Sequence, residues 1–381
     1  MYREDEDQYR LLRSTVRDFA EQEIQPLART LDEEQRFSVE LTAGMGDIGL
    51  FGITVPEAYG GQGMDYLSYV IAVEELARID SSQAATVAAH NSLGIGPIQY
   101  FGTEEQKEKY LPGLCTGRQL WGFGLTEAEA GSDSRGSKTT ARLEDGQWVI
   151  NGSKIFITNG SSPVTVGISV QAVSGDSGGK KEFSTIIVEQ GSAGFSARTM
   201  KDKMMWRGSD TAELYFDNVR VPEGNLLGRR GDGSRIMLST LDRGRLSIAA
   251  MGLGLAQGAY ELALKYAGER KQFGKAISKF QAVSFKLADM ATKIEAARAL
   301  LYRACDLIDH GRPFAKEAAM SKLYCSEVAR EVADEAVQIH GGYGLMKEYD
   351  IERFYRDQRL LQIGEGTSEI QRMVIARAIG C

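Results

Sequence analysis

The feature that most constrains this chain is a change of texture in its middle. Residues 118–226 carry β-branched and aromatic runs (TVGISVQAV, EFSTIIVEQ, TAELYFDNVRV) separated by Gly, Ser and Asp, and runs bounded this way read as strands. On either side the pattern is helical. LLRSTVRDFAEQEI repeats apolar residues at three- and four-residue spacing before Pro26, and YLSYVIAVEELARI (66–79) is apolar enough for a buried helix. Thr103 and Gln106 form a capping-box pattern for a further helix, which LPGLCTG (111–117) is expected to break. Beyond Pro222 and the Gly-rich GRRGDGS, Ala/Leu/Met-rich helices cover 235–309 and 313–340. Strands and helices are segregated, so a βαβ Rossmann sheet is not supported.

Charge and cysteines narrow the function classes. A net charge of −7, from 45 basic and 52 acidic residues, argues against a nucleic-acid protein, although a few arginines can still hold a phosphate. Cys115, Cys305, Cys325 and Cys381 are scattered without a CxxC pair, beside only His90, His310 and His340. Neither a metal site nor a disulfide is expected. MYREDEDQYR is acidic and resembles no targeting peptide, and no apolar run reaches the ~20 residues that span a bilayer. The expectation is a soluble cytoplasmic protein with no nucleic-acid or membrane partner.

Several short motifs could carry chemistry. In LQIGEGTSEIQR, Glu365 sits between Gly364 and Gly366, ahead of Thr367 and Ser368. GFGLTEAEAGSD (122–133) offers bare backbone and Thr126 to a ring edge or phosphate, with an ordinary Asx turn as the competing reading. WVINGSKIFITNG alternates around Asn151–Gly152, read as a turn. Alternation puts Phe156 and Thr158 on one face, where they could cover a flat heterocycle and bond its edge. Asp242 and Arg245 are one helical turn apart, by default a surface ion pair. ERKQFGK is expected to end a helix at Gly274 with Arg270, Lys271 and Lys275 clustered there. QIHGGYG reads as a glycine-capped helix end in which His340 is structural. GLGLAQG (252–258) fails as a dinucleotide fingerprint, because it lies inside a helical pattern and Gly258 comes one place late; close helix packing explains it better.

In order, GFGLTEAEAGSD, KIFITNG, MMWRGSDTAEL, LDRGR, ERKQFGK, FQAVSFKLADM, QIHGGYG, YRDQRL and IGEGTSEIQ closely resemble the acyl-CoA dehydrogenase family, over essentially the whole chain. The resemblance implies that family's α+β multi-domain fold. Its parts are an N-terminal helical domain (1–117), a central β-barrel or sandwich domain (118–226) and a C-terminal four-helix-bundle domain with the catalytic loop (227–381). It implies FAD, an acyl-CoA substrate desaturated between its α and β carbons, an electron-transfer flavoprotein as acceptor, and a homotetramer.

By the same matching, Glu365 is the base that takes the α-proton while hydride leaves for flavin N5. A free Glu, with a pKa of ~4.3, is too weak for this at neutral pH, so desolvation is expected to raise it. The resemblance gives the thioester carbonyl the Glu365 N–H and a flavin ribityl hydroxyl as donors. It assigns Phe123, Leu125, Thr126, Ser132, Phe156, Ile157, Thr158, Thr367 and Glu369 to the cofactor. Arg270, Gln272, Gln281, Gln338, Gly341 and Gly342 match its adenosine-pyrophosphate end, some across a subunit boundary. Ser132, Asp242, Arg245 and Gly366 match substrate contacts.

Departures from the family pattern bear on the substrate. The position matching Gly244 carries the base in isovaleryl-type members, and Gly364 replaces a frequent Tyr. Together they imply room for a short, branched or cyclic acyl group. Phe156 stands where several relatives have Trp. His90 and Asn91 are candidates for lining the acyl pocket, with helix packing the other reading. The alternative activity is an acyl-CoA oxidase or related flavin oxidase on the same fold. A catalytically silent assembly protein is the reading from a different class, and it is disfavoured because the base is present.

Overall fold

The structure, a computed structural model, describes residues 6–381. The N-terminal helices are α1 (Asp7–Phe19), α2 (Gln25–Glu34), α3 (Val39–Asp47), α4 (Tyr66–Ala77), α5 (Ser81–Ala89), α6 (Gly96–Phe101) and α7 (Glu104–Leu114). Helix α4 is buried from Leu67 to Ala77, as its apolar sequence requires, and the Asp65 side chain caps it by accepting from Ser68 N–H at 2.9 Å. The capping box of α7 forms between Thr103 and Gln106. This helix does not break at residue 111 but runs through Pro112 to Leu114. So close to the helix end, the N–H missing from proline deletes a single bond.

The strands are β1 (Leu120–Gly124), β2 (Thr140–Glu144), β3 (Gln147–Thr158), β4 (Thr165–Ser177), β5 (Lys180–Glu189), β6 (Phe195–Thr199), β7 (Thr211–Pro222) and β8 (Leu226–Leu227). They form one hydrogen-bonded path in the order β6-β7-β3-β2-β4-β5-β8, with β1 parallel to β4. A single parallel pair, Thr140 with Val173, joins the two halves. Inward side chains of both halves, among them Trp148, Ile157, Val170, Ile186 and Leu214, make one apolar cluster. Asn151–Gly152 is not a turn. It lies inside β3 at a register shift against β7, where Gly152 takes φ +143. The β2–β3 turn is Asp145–Gly146, with φ +50 and +73, the two positive values a two-residue type I′ hairpin needs.

The C-terminal helices are α8 (Gly233–Glu269), α9 (Gln281–Asp309), α10 (Ala315–His340), α11 (Ile351–Asp357) and α12 (Ser368–Ile379). Helix α8 stops at Glu269 instead of reaching Gly274. Residues 271–276 form a hairpin, β9 (Lys271–Gln272) with β10 (Lys275–Ala276), turning at Phe273 and Gly274 with φ +50 and +79. Helices of both ends share one core: α4 residues such as Val70 and Val73 belong to the same cluster as Leu253 of α8, Leu301 of α9 and Val332 of α10. Among the described residues no helix is long and apolar enough to cross a membrane.

The glycines of GLGLAQG serve this packing. A Cβ on Gly254 would stand 2.1 Å from the Glu74 carbonyl oxygen of α4, and one on Gly258 2.1 Å from that of Arg78. Neither backbone can yield cheaply. Gly254→Ala is therefore expected to cost about 1–3 kcal/mol, read as a lowered urea midpoint. An unchanged midpoint would mean that α4 and α8 separate freely.

Candidate active site

Glu365 sits on a strained turn between α11 and α12. The helical turn after α11 ends with the Leu360 carbonyl accepting from Ile363 and Gly364 N–H, at 2.8 and 2.9 Å. Glu365 then takes φ +54 and Gly366 φ +95. Glycine enters this region freely, whereas a residue with a Cβ pays about 1–3 kcal/mol and stays there only if its surroundings hold it. Here they do. Lys322 Nζ of α10 donates to the Gly366 carbonyl at 2.7 Å. Gln371 Nε2 of α12 donates to the Gly366 and Glu365 carbonyls at 2.8 and 3.2 Å. Thr367 caps α12, its hydroxyl accepting from Ile370 N–H at 3.4 Å. Glu369 lies exposed in the first turn.

The Glu365 carboxylate leans onto α8. A Cβ at Gly244 would lie 1.9 Å from Glu365 Oε2, so the acid uses the space that the bare backbone leaves. The expectation of room for a short, branched or cyclic acyl group rested partly on Gly244, and beside Gly244 the room holds the carboxylate. The atoms nearest to a Cβ at Gly364 would be those of the Leu360 side chain and carbonyl, at van der Waals distance. Although Glu365 is only partly buried as a residue, Oε2 is shielded from solvent and has no hydrogen-bond partner among the described residues. Burial lifts this carboxyl to about 8, against the pull of Lys322 and Arg245. Lys322 is itself fully buried, and burial pushes its ammonium down to about 8 while Glu365 opposes the shift.

Arg245 pairs with Asp242 as their spacing implies, but not as a surface pair, since Arg245 is 5% exposed. Its Nε has no partner among the described residues. Burial raises the Asp242 carboxyl against the influence of Arg245 and Arg243. His90 and Asn91 take the helix-packing role, each bonded to the backbone around it. His90 Nε2 contacts the Leu114 carbonyl, and its Nδ1 accepts from Trp121 N–H. Asn91 accepts from the Gly52 and Ile53 N–H groups and donates to the Leu50 and Val87 carbonyls. Both are saturated packing residues.

Phe123 and Leu125 join Met237 of α8 in a small apolar cluster flanked by Leu93 and Leu241. The segment after β1 is pinned to β3: buried Lys154 donates to the Leu125 carbonyl at 3.1 Å and pairs with Glu127 at 2.7 Å, and the Thr126 carbonyl accepts from Ile155 N–H. Phe156 is forced outward, with φ +60 and 62% exposure, while Ile157 turns inward and Thr158 is half-buried. Ser132 lies exposed in the bend after Ala130.

Elsewhere, Arg270, Gln272, Gly341 and Gly342 come together in a cleft of about 490 Å³, walled by Tyr266, Tyr343 and His340. His340 stacks on Tyr266, and the Arg270 guanidinium stands 5.6 Å from the Tyr343 ring centre. A Cβ on Gly341 or Gly342 would meet nothing, so bare backbone faces open space. Gln281 and Gln338 are exposed and are not among the residues lining this cleft.

An exposed aromatic two residues from a half-buried hydroxyl, and a guanidinium sharing a cleft with open glycine backbone, suit a flavin dinucleotide. Lys322, Gln371 and Lys154 were not singled out from the sequence. The signal for Lys322 was a lone charge in the apolar stripe Ala318, Lys322, Cys325, Ala329 of α10.

Comparison with known proteins agrees with this arrangement. Residues 6–118, 122–219 and 231–380 match the family models for the N-terminal, middle and C-terminal domains of acyl-CoA dehydrogenase. A probable acyl-CoA dehydrogenase of Bacillus subtilis (strain 168) is 50% identical over 97% of each chain. The CarC subunit of the caffeyl-CoA reductase–Etf complex of Acetobacterium woodii is 44% identical over 97% of each. The solved butyryl-CoA dehydrogenase of Megasphaera elsdenii superposes with a TM-score of 0.95 at 43% identity, over 98% of both chains. An acyl-CoA dehydrogenase from Bacillus anthracis solved in complex with FAD gives 0.93 at 37% identity, over all of this chain and 68% of the other. Matched from end to end in sequence and in fold, this chain belongs to the acyl-CoA dehydrogenase family of FAD-using oxidoreductases.

Proposed function

We propose that the protein desaturates a short acyl-CoA thioester between its α and β carbons, with Glu365 as the base. The observation that carries this reading is the Glu365 carboxylate itself: out of solvent, unpartnered at Oε2, on a turn that two other side chains hold in place. The residues around it divide the work. Glu365 accepts the α-proton, and its burial makes it a far stronger base than a solvated glutamate. The Glu365 N–H has no acceptor among the described residues, which suits it to donate to the thioester carbonyl and stabilise the charge that develops there. Arg245, paired with Asp242, would hold the CoA arm. Bound FAD supplies the hydride acceptor, held by Phe123, Leu125, Thr126, Phe156 and Thr158 at the ring. Arg270, Gln272, Gly341 and Gly342 would take its pyrophosphate end.

A straight short chain such as butyryl is the first substrate to test. The space beside Gly244 is taken by the base, and the similar Megasphaera protein is named for butyryl-CoA. We further propose an electron-transfer flavoprotein as the acceptor, in line with the Etf complex that the Acetobacterium relative belongs to. Assembly as a homotetramer is supported by exposed apolar residues beside the cleft, above all Phe273 at 94% and Leu345 at 74% exposure, because patches of this kind mark association surfaces. The four free cysteines fit a reducing cytoplasm.

Anaerobic titration of the FAD-loaded protein with a panel of acyl-CoAs tests the reaction. One thioester is expected to bleach the oxidised flavin promptly and yield its 2-enoyl-CoA, with only slow reoxidation by O₂; fast reoxidation would favour an oxidase, and a panel without bleaching would overturn the CoA assignment. The carboxylate is the active form of the base. The rate at low thioester is therefore expected to rise with pH and level off above about 8, as stopped-flow absorbance would record. A flat profile from pH 6 to 9 would contradict it.

A further inference from the structure

We propose that Lys322 is a positioning residue for this reaction: its ammonium, anchored on the Gly366 carbonyl, holds the Glu365–Gly366 turn and sets a positive charge beside the base. The inference deepens the reading above and rests on Glu365 being that base. Lys322 is fully buried on α10, and a buried lysine without a task is costly, since burial penalises its charged form. Its ammonium donates to the carbonyl of Gly366, the residue after the base, at 2.7 Å. That carbonyl belongs to a turn whose two positive φ angles do not persist unaided. The other grip on the turn, Gln371, is neutral, so the charge of Lys322 has a separate role.

The titratable groups that act on the carboxylate and the ammonium come from three other elements. Arg245 and its partner Asp242 come from α8, Tyr69 from α4 and Glu369 from α12. Arg245 is committed to Asp242, and Tyr69 donates its hydroxyl to the Ala88 carbonyl. Lys322 is therefore the cation that can answer Glu365 as it ionises. It favours the carboxylate, the form that accepts a proton. It also fixes the plane of the Gly366–Thr367 peptide, one residue beyond the base, so that the carboxylate returns to one place after each turnover.

The test compares Lys322→Met, Lys322→Gln and Lys322→Arg with wild type and Glu365→Gln, all as FAD-loaded protein. Flavin reduction by butyryl-CoA is followed against pH, and amide hydrogen exchange is measured over residues 363–367. In Lys322→Met the acidic limb is expected to move up by about one pH unit, because an opposite charge has been withdrawn from the carboxylate. Its kcat is expected to fall about tenfold with KM nearly unchanged, as misplacement of a reacting group produces, and the turn amides exchange faster. Lys322→Gln, which keeps a donor but no charge, shifts the limb while leaving exchange near wild type. Lys322→Arg, which keeps the charge, restores most of the limb.

Should the methionine variant fail to load FAD, the glutamine and arginine variants carry the same comparison. An unmoved limb in Lys322→Gln, or exchange unchanged in Lys322→Met, overturns the proposal and leaves Lys322 a packing residue. Reduction that persists in Glu365→Gln overturns instead the assignment of the base, and the two failures are thereby told apart.

Discussion

Replacing Arg353 by methionine is expected to destabilise the protein by about 3–5 kcal/mol, the usual cost of leaving a buried carboxylate without its cation. Arg353 of α11 pairs with Asp80 at 2.6 Å, the two side chains being 5% and 3% exposed. Asp80 also caps α5, accepting from Gln83 N–H at 2.9 Å. Next to them Asp357, lifted to about 7 by burial and held down chiefly by Arg353, accepts from Trp206 N–H in the loop between β6 and β7. One guanidinium thus serves two buried acids that join the N-terminal helices, the β-region and the helix leading to Glu365.

Methionine fills a similar volume but answers neither charge. The deficit should shrink in acid. A carboxyl whose folded pKa lies above its unfolded value binds its proton more tightly in the native state, so its stabilisation is present at low pH and is lost as pH rises through the folded pKa. Without Arg353 the pKa values of Asp80 and Asp357 rise further, and the gap between variant and wild type narrows as pH falls from 8 to 5. Urea midpoints at the two pH values check this. A shift below about 1 kcal/mol at pH 8, the size of an exposed pair, would mean that these acids are already neutral or reach water.

What the sequence disclosed and what it hid follow from the range of the interactions concerned. The helix–strand–helix texture, the buried α4 and the Thr103–Gln106 cap rest on neighbours a few residues apart, so local periodicity exposed them. The glycines of α8 read correctly as packing because they fell inside a helical period. Asn151–Gly152 misled because a strand bulge and a hairpin turn both call for residues that tolerate positive φ, and only the pairing of β3 with β7 tells them apart. Phe273–Gly274 failed for a related reason, a two-residue turn mistaken for a helix end.

At the site, Glu365 was legible through its motif. Its seat against Gly244 was not, since that contact joins α8 to a loop far along the chain. Lys322 went unnoticed because a lone lysine on an apolar helix face carries no local mark of the carbonyl it will meet.

Glu365→Gln is expected to reduce flavin reduction by at least about 10³-fold, near the upper part of what a positioned base contributes. The amide matches the acid in shape and occupies the same space beside Gly244. Because Oε2 has no partner to lose, stability and FAD content are expected to stay near wild type. The loss then belongs to proton removal alone. The decisive measurement is anaerobic mixing of FAD-loaded Glu365→Gln with saturating butyryl-CoA, following the oxidised flavin band, after wild type has been shown to bleach with the same thioester. The account expects the variant to bind the thioester, visible as a perturbed flavin spectrum, and to stay oxidised over many wild-type turnovers. Prompt bleaching of the variant would contradict it and place the base elsewhere.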